Sequence, residues 1–244
     1  MTSAHGTNRV HPTAVIGPGV ELGGDNVIGP YAVLLGPARI GNGNWIGPHT
    51  AIGTPGEMRG GDHPTAWDEP AVHGGVVIGD RNVIREFATV QAPAFGQTII
   101  GDDCYVMTKA HVPHDGVLSD GVTVSCGALI GGHGRIGANA NLGLNSVLHQ
   151  ELVVGPGAML GMGTIVTKAV PPYATVTGNP GRVRGVNWRG MQRVGCSDEA
   201  IEWLRALYVP DTKLDQIELV GEPSELTADV DWYRSALEAV ASSH

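Results

Sequence analysis

The chain has few aromatic residues. They make up 5% of its 244 residues, and phenylalanine occurs only twice. The apolar fraction is nevertheless 42%, which excludes the low hydrophobicity of a disordered chain. A core must therefore be built from small aliphatic side chains, and this predicts many thin layers rather than one thick globule.

Cysteine, positive charge and long apolar runs are also scarce. Cys104, Cys126 and Cys196 are widely spaced and form no CxxC pair, which favours reduced thiols over disulfides. The 15 basic residues face 24 acidic ones, for a net charge of −9, and this disfavours non-specific binding to nucleic acid or to an anionic bilayer. No run approaches the length of a membrane span, and Met1 to Val10 lacks the apolar stretch of a signal peptide. We therefore expect a cytoplasmic protein without stable membrane insertion.

An aliphatic residue recurs every six positions through most of the chain. The series comprises Val10, Ile16, Leu22, Ile28, Leu34, Ile40, Ile46 and Ile52, then Ile78, Ile84 and Val90, and then, after four extra residues, twelve positions from Ile100 to Val166. This period suits a short strand followed by a tight corner, and three such units per coil would stack residues 18 apart. Glycine follows many of these positions, and we expect it to provide corner conformations that a β-carbon would obstruct.

The repeat predicts an all-β, left-handed parallel β-helix of hexapeptide repeats. A conventional sandwich is the alternative, but it would not hold one period over so many repeats. We place the β-helix domain at 1–187, with loops at 54–77 and 91–99 where the phase breaks. Loops on a rigid scaffold often carry binding groups, although a disordered insertion is the alternative for the first. Ser197 and the apolar pattern beyond it predict a small C-terminal α-helical region, 188–244.

Four of the ten histidines fall within 39 residues: His111, His114, His133 and His149. Three of them follow positions that the repeat stacks, so we expect them along one edge of the prism. One interpretation is a zinc site, but hexapeptide-repeat carbonic anhydrases have two histidines five apart, and here the spacing is three. A second is general base catalysis by an imidazole, with Asp115 adjusting the local field. Solvated edge histidines are the third.

The segment AHVPHDG, residues 110–116, resembles the active-site segment of the UDP-N-acetylglucosamine acyltransferases that begin lipid A synthesis. Further blocks resemble that family in order and spacing: 78–86, 132–133, 149–150, 170–173, 178–180 and 185–193. The resemblance covers about 1–210 and weakens in the last helix. Together these blocks are specific, whereas a single hexapeptide repeat is not.

The resemblance implies an acyltransferase that moves a (3-hydroxy)acyl group from acyl carrier protein to the 3-position of UDP-N-acetylglucosamine. It implies that His114 is the general base, that Asp115 supports this base, and that the backbone N–H of Gly132 holds the oxyanion. It also implies a homotrimer with active sites between neighbouring prisms. No cofactor and no metal are expected, because acyl carrier protein or coenzyme A brings the acyl group as a donor substrate.

The resemblance further implies a set of substrate-binding residues: Glu57, Arg59, His111, His133, His149, Gln150, Met162, Asn187, Arg189 and Arg193. Asn187 and Arg193 would hold the nucleotide. Arg182, Arg184, Arg189 and Arg193 crowd one segment, and arginine suits phosphate, although phosphopantetheine, an acidic carrier protein or solvent are alternative partners.

Several positions depart from the family pattern. Glu57 and Arg59 stand where aspartate and lysine are usual, and Gly56, Lys109 and Val194 replace a glutamine, an asparagine and an arginine. These changes leave open another amino or nucleotide sugar, with an acyl carrier protein or coenzyme A donor. A zinc-dependent hydratase and a non-catalytic scaffold are the alternatives outside this class.

Met162 occupies the position that limits acyl length in the family, although it could equally fill space. A long side chain there predicts a donor of about ten carbons or fewer. In an assay across acyl lengths, Met162→Gly should accept longer donors than the wild-type protein. An unchanged length profile would contradict the assignment.

Overall fold

A computed structural model describes residues 7–60, 63, 67–68 and 74–242. Its first strands are β1 (Arg9–Val10), β2 (Val15–Ile16), β3 (Val20–Leu22), β4 (Val27–Ile28), β5 (Val33–Leu34), β6 (Ala38–Ile40), β7 (Trp45–Ile46) and β8 (Ala51–Thr54). The next are β9 (Val76–Ile78), β10 (Val83–Ile84), β11 (Thr89–Gln91), β12 (Thr98–Ile100), β13 (Tyr105–Val106), β14 (His111–Val112), β15 (Val117–Leu118), β16 (Thr123–Val124) and β17 (Leu129–Ile130).

The remaining strands are β18 (Arg135–Ile136), β19 (Asn141–Leu142), β20 (Val147–Leu148), β21 (Val153–Val154), β22 (Met159–Leu160), β23 (Ile165–Val166), β24 (Ala174–Thr177) and β25 (Arg182–Val186). Three α-helices follow, α1 (Trp188–Arg193), α2 (Asp198–Leu207) and α3 (Thr227–Ala241), with 3-10 turns at Leu214–Gln216 and Ser224–Leu226. No helix in the described part of the chain is long and apolar enough to cross a membrane.

The strands stack into three sheets, and successive strands pass from one sheet to the next. Sheet A is β1-β4-β7-β10-β13-β16-β19-β22-β24-β25, sheet B is β2-β5-β8-β11-β14-β17-β20-β23, and sheet C is β3-β6-β9-β12-β15-β18-β21. Every repeat position from Val10 to Val166 lies in one of β1 to β23, and those from Ile28 onward are at most 3% exposed. The predicted left-handed parallel β-helix is therefore confirmed. About eight coils at the usual strand spacing give a prism of roughly 40 Å.

Both phase breaks leave the prism at the same edge, the corner between sheets B and C. One lies between β8 and β9 and the other between β11 and β12. The predicted loop 54–77 is described only in part, because 61–62, 64–66 and 69–73 lie outside the described residues. The second loop is shorter than predicted, since β11 extends to Gln91 and β12 begins at Thr98. Residues 92–97 therefore form the connection.

The corners are not built as the glycine pattern suggested. Most glycines that follow an aliphatic position have ordinary φ values, and they are needed because the next coil comes close. A Cβ on Gly47, for instance, would lie 2.7 Å from the backbone nitrogen of Glu86. The left-handed residue is instead the third after the aliphatic position, as at Asp115 (φ 56°) and His133 (φ 60°). Aspartate, asparagine and histidine are among the non-glycine residues that tolerate this conformation best.

A column of buried asparagines ties the coils together at the corner between sheets C and A. Asn26, Asn44 and Asn82 are at most 1% exposed. The backbone N–H of Asn44 donates to Oδ1 of Asn26 at 2.9 Å, and that of Asn82 donates to Oδ1 of Asn44 at 2.8 Å. Nδ2 of Asn44 also donates to the carbonyl of Gly79 at 3.0 Å. These amides therefore satisfy backbone groups that the corner would otherwise leave unpaired.

The C-terminal segment closes the last coil. Strand β24 continues sheet A in parallel, but β25 turns back antiparallel to it. Ser197 caps α2 through Ala200, as the sequence predicted. The hydroxyl of Tyr208 donates to the carbonyl of Pro172 at 2.6 Å, and that of Tyr173 donates to Asp229 at 2.7 Å. These bonds hold α2 and α3 against the end of the prism.

The asparagine column predicts a large cost for one truncation. Asn44→Ala would leave the partner groups of Asn26, Gly79 and Asn82 buried and unpaired, and should lower the free energy of unfolding by about 3 kcal/mol. Urea denaturation would measure it. Asn141→Ala, on the outer face of β19, is the control and should change stability by less than about 0.5 kcal/mol. Equal midpoints for the two variants would contradict the role of the column.

Candidate active site

The central site residues lie at the corner between sheets B and C. Strand β14 places His114 and Asp115 in this corner, and β17 places Gly132 and His133 one coil further on. The backbone N–H of His133 donates to the carbonyl of His114 at 3.2 Å, and that of Glu151 donates to the carbonyl of Gly132 at 2.8 Å. The chain therefore stacks the residues that the sequence separates by 18.

The carboxylate of Asp115 is held by the loop 92–97. The backbone N–H of Ala94 donates to its Oδ2 at 2.9 Å, and those of Phe95 and Gly96 donate to its Oδ1 at 3.1 and 2.7 Å. Nδ1 of His114 lies 3.0 Å from Oδ2. Burial would raise the pKa of Asp115, but these hydrogen bonds outweigh burial and hold the pKa well below its ordinary value. Asp115 is therefore ionised at neutral pH.

An ionised Asp115 fixes the tautomer of His114. Because a carboxylate can only accept, Nδ1 of His114 carries the proton and donates it to Asp115, which leaves the lone pair of Nε2 free. The left-handed φ of Asp115 turns its side chain so that two neighbouring residues meet. The side chain of His114 is 15% exposed. A sheltered imidazole with a free Nε2 is the geometry of a general base.

Gly132 lies directly against that nitrogen. A Cβ on Gly132 would be 2.6 Å from Nε2 of His114, so no larger residue fits without moving the ring. The backbone N–H of Gly132 donates to no other residue in the described part of the chain. A free amide therefore lies beside the base, where a developing oxyanion would need a donor.

His133 completes the cluster. Its ring meets that of His114 edge-on at 5.1 Å between centroids and stacks on Phe95 at 5.9 Å. His114, Asp115 and His133 bring potential ligand atoms within 4.8 Å of one another. Each oxygen of Asp115 already accepts two hydrogen bonds, however, so a metal would have to displace them. The arrangement suits orientation of an imidazole better than metal binding.

His111 and Glu57 lie on the side of sheet B. Nδ1 of His111 lies 2.8 Å from Oγ1 of Thr89. Burial lowers the pKa of His111, Glu57 raises it, and His114 lowers it further, so all three groups are close enough to interact. A Cβ on Gly56 would lie 2.9 Å from Cβ of His114, which shows why this position holds no larger residue.

The other predicted residues are not in contact with His114. His149 and Gln150 are exposed one coil beyond Gly132, and Arg59 is exposed beyond Glu57. Met162 is 76% exposed at the corner between sheets A and B, which excludes a core-filling role within the single chain. These positions lie on surfaces that a ligand or another chain can reach.

Asn187, Arg189 and Arg193 lie together at α1, on another edge. Asn187 caps this helix by accepting from the N–H of Gly190 at 3.1 Å, and it donates to the carbonyl of Gly157 at 2.8 Å. Its side chain therefore already has a structural role. The guanidinium of Arg189 lies 4.9 Å from the ring centroid of Trp188. Arg189, Arg193 and Trp188 border a shallow depression.

The amides of the loop 92–97 and the ring of Phe95 were not predicted as site groups. Backbone donors leave no residue-type signal, because any amino acid supplies an N–H. The break of phase predicted a loop here, and a phenylalanine in a short loop of alanine, proline and glycine was the one visible sign.

A prism of six-residue repeats with a histidine–aspartate pair at its corner defines the hexapeptide-repeat acyltransferases as the class. Comparison with known proteins gives the family. A family model described as UDP-N-acetylglucosamine O-acyltransferase, domain 2, matches residues 170–210. The acyl-[acyl-carrier-protein]–UDP-N-acetylglucosamine O-acyltransferase of Burkholderia thailandensis is 36% identical over 159 residues, 64% of this chain and 57% of that protein. The chain belongs to the UDP-N-acetylglucosamine acyltransferase family.

Further relatives agree. The enzyme of the same description from Pseudomonas putida is 35% identical over 170 residues, 66% of each chain. The solved UDP-N-acetylglucosamine acyltransferase of Campylobacter jejuni superposes with a TM-score of 0.71 at 26% identity, covering 91% of this chain and 94% of that one. The sequence matches thus span somewhat less than two thirds of the curated relatives, whereas the structural match spans nearly the whole fold.

The contact between Gly132 and His114 gives a test of the site. Gly132→Ala should displace the imidazole and lower kcat by at least about 100-fold, while the urea midpoint stays within about 1 kcal/mol of the wild type. Steady-state kinetics and denaturation would measure both. Unchanged kcat would mean that Nε2 of His114 is not the reacting atom.

Proposed function

We propose that this protein transfers an acyl group from acyl carrier protein to the 3-position of UDP-N-acetylglucosamine, as the names of its curated relatives describe for them. The observation that carries the proposal is the His114–Asp115 pair, with its free Nε2 beside the unpaired amide of Gly132. The reaction needs no cofactor, because the thioester supplies the activated acyl group.

The proposed steps use four groups. Nε2 of His114 removes the proton from the 3-hydroxyl as that oxygen attacks the thioester carbonyl, and the imidazolium is stabilised by Asp115. The N–H of Gly132 donates to the oxyanion of the tetrahedral intermediate. Collapse forms the ester and breaks the carbon–sulfur bond, and the departing thiolate takes the proton from His114.

The acceptor would be held by groups around this corner. We propose that His111, His133 and Glu57 contact the sugar, with Arg59, His149 and Gln150 at the rim. Asn187, Arg189 and Arg193 would meet the nucleotide, and the two arginines offer guanidinium groups for its diphosphate. Because α1 lies on another edge of the same chain, this assignment fits best if a neighbouring subunit supplies it.

An apolar track on sheet B suits the acyl chain. Above His111, the outward positions are Leu129, Val147 and Ile165, paired in register in successive coils. Three coil spacings give about 14 Å, which corresponds to roughly 12 bonds of an extended chain. Met162 projects at the upper end and would shorten this length.

We also propose a homotrimer. Leu129, Leu144 and Met162 are 44%, 40% and 76% exposed on one side of the prism, and a neighbouring copy would cover this stripe while completing the acyl groove. Three unpaired thiols favour a reducing compartment, so we place the enzyme in the cytoplasm.

The decisive experiment is mass spectrometry of products from purified protein given mixed acyl thioesters and nucleotide sugars. The wild type should form a 3-O-acyl nucleotide sugar, and His114→Ala should reduce its rate by about 100-fold or more. His49→Ala, an exposed histidine stacked between Tyr31 and Phe87, is the matched control and should keep full activity. A fully active His114→Ala variant would refute the mechanism.

A further inference from the structure

A separate cleft of about 650 Å³ lies on the outer face of sheet C, beside the histidine cluster. It is bordered by Phe95, Ile99, Val117, His133 and Arg135. Its volume lies in the range of small-molecule sites. None of the steps above uses its floor or its far end.

The floor is a column of three outward residues. Ile99 pairs in register with Val117, and Val117 with Arg135, in β12, β15 and β18. At the usual strand spacing, the column runs about 10 Å from the first aliphatic residue to the arginine. The cleft is thus apolar at one end and cationic at the other.

The wall is the ring of Phe95. It is 76% exposed, yet the loop that carries it is fixed by the three amides that donate to Asp115. The ring stacks on His133, whose own ring meets His114. The wall of the cleft and the orientation of the base therefore depend on the same hydrogen bonds.

Charge selects the kind of ligand. The only carboxylate that borders the cleft is that of Asp115, and its oxygens are already occupied by hydrogen bonds. Arg135 forms no ion pair with any residue in the described ranges. A molecule with an apolar middle and an anionic end fits this arrangement.

We propose that this cleft binds the 4′-phosphopantetheine arm of the acyl donor, which rests on the function proposed above. The arm's dimethyl segment lies against Ile99, Val117 and Phe95, its phosphate pairs with Arg135, and its sulfur end reaches the corner that holds His114. Acyl carrier protein and coenzyme A carry this same arm, so the cleft recognises what the two donors share.

Calorimetry tests the phosphate contact without turnover. Titration of wild-type protein with 4′-phosphopantetheine and with pantetheine, which lacks the phosphate, should show the weaker binding for pantetheine. Arg135→Gln should raise the Kd of 4′-phosphopantetheine about tenfold and leave that of pantetheine unchanged. Arg39→Gln, an exposed arginine in the same outward column of sheet C, should bind like the wild type. Equal Kd values for Arg135→Gln and Arg39→Gln would overturn the proposal.

Kinetics test the aromatic wall. Phe95→Ala should raise the donor KM about tenfold with both acyl carrier protein and coenzyme A thioesters, and leave the KM of the nucleotide sugar unchanged. Phe87→Ala, the other phenylalanine of the chain, is the control on another edge. A rise in the nucleotide-sugar KM alone would assign the cleft to the acceptor, and a smaller assembly in sedimentation would assign it to a subunit contact. Either result would overturn the proposal.

The two proposals fail separately. If the wild-type protein transfers no acyl group, the proposed function fails, whereas Arg135-dependent binding of 4′-phosphopantetheine would still support the cleft. If acyl transfer occurs and neither Arg135→Gln nor Phe95→Ala changes donor affinity, the function stands and the cleft assignment fails.

Discussion

The structure depends on the hydrogen bonds that join each coil to the next at a fixed offset of 18 residues. The register holds from β11 to β23 without interruption beyond the four residues that the loop 92–97 adds. This offset brings one aliphatic residue above another in each sheet and one corner residue above another at each edge. The core and the site therefore follow from one constraint, since both are columns of residues 18 apart.

The same constraint explains how a short segment holds a reactive pair. The third residue of every corner is left-handed, and at two successive coils this residue is Asp115 and then His133. The turn directs the carboxylate toward the imidazole that precedes it in sequence, and the loop amides neutralise the cost of burying the charge. An adjacent pair in an ordinary strand would point to opposite faces, so the corner is what makes the contact.

The repeat was visible in the sequence because each of its positions is an aliphatic residue that must be buried, and burial selects residue type. The pairing of His114 with Asp115 was suggested by the family resemblance, but its geometry depends on a backbone conformation that the residue types do not specify. The amides of Ala94 and Gly96 were invisible for the same reason. The role of glycine was predicted with the wrong cause, because the close approach of a neighbouring coil cannot be seen in one coil's sequence.

The column from His111 to Ile165 has a consequence for how this architecture can vary. Because the coils are discrete, the site at one level and the obstruction at a higher level are separated by a whole number of layers. Each layer is about 4.8 Å thick, or roughly four bonds of a hydrocarbon chain. Evolution can adjust the groove finely by exchanging a side chain at its end, but the addition or removal of 18 residues would change its reach only in steps of about four carbons.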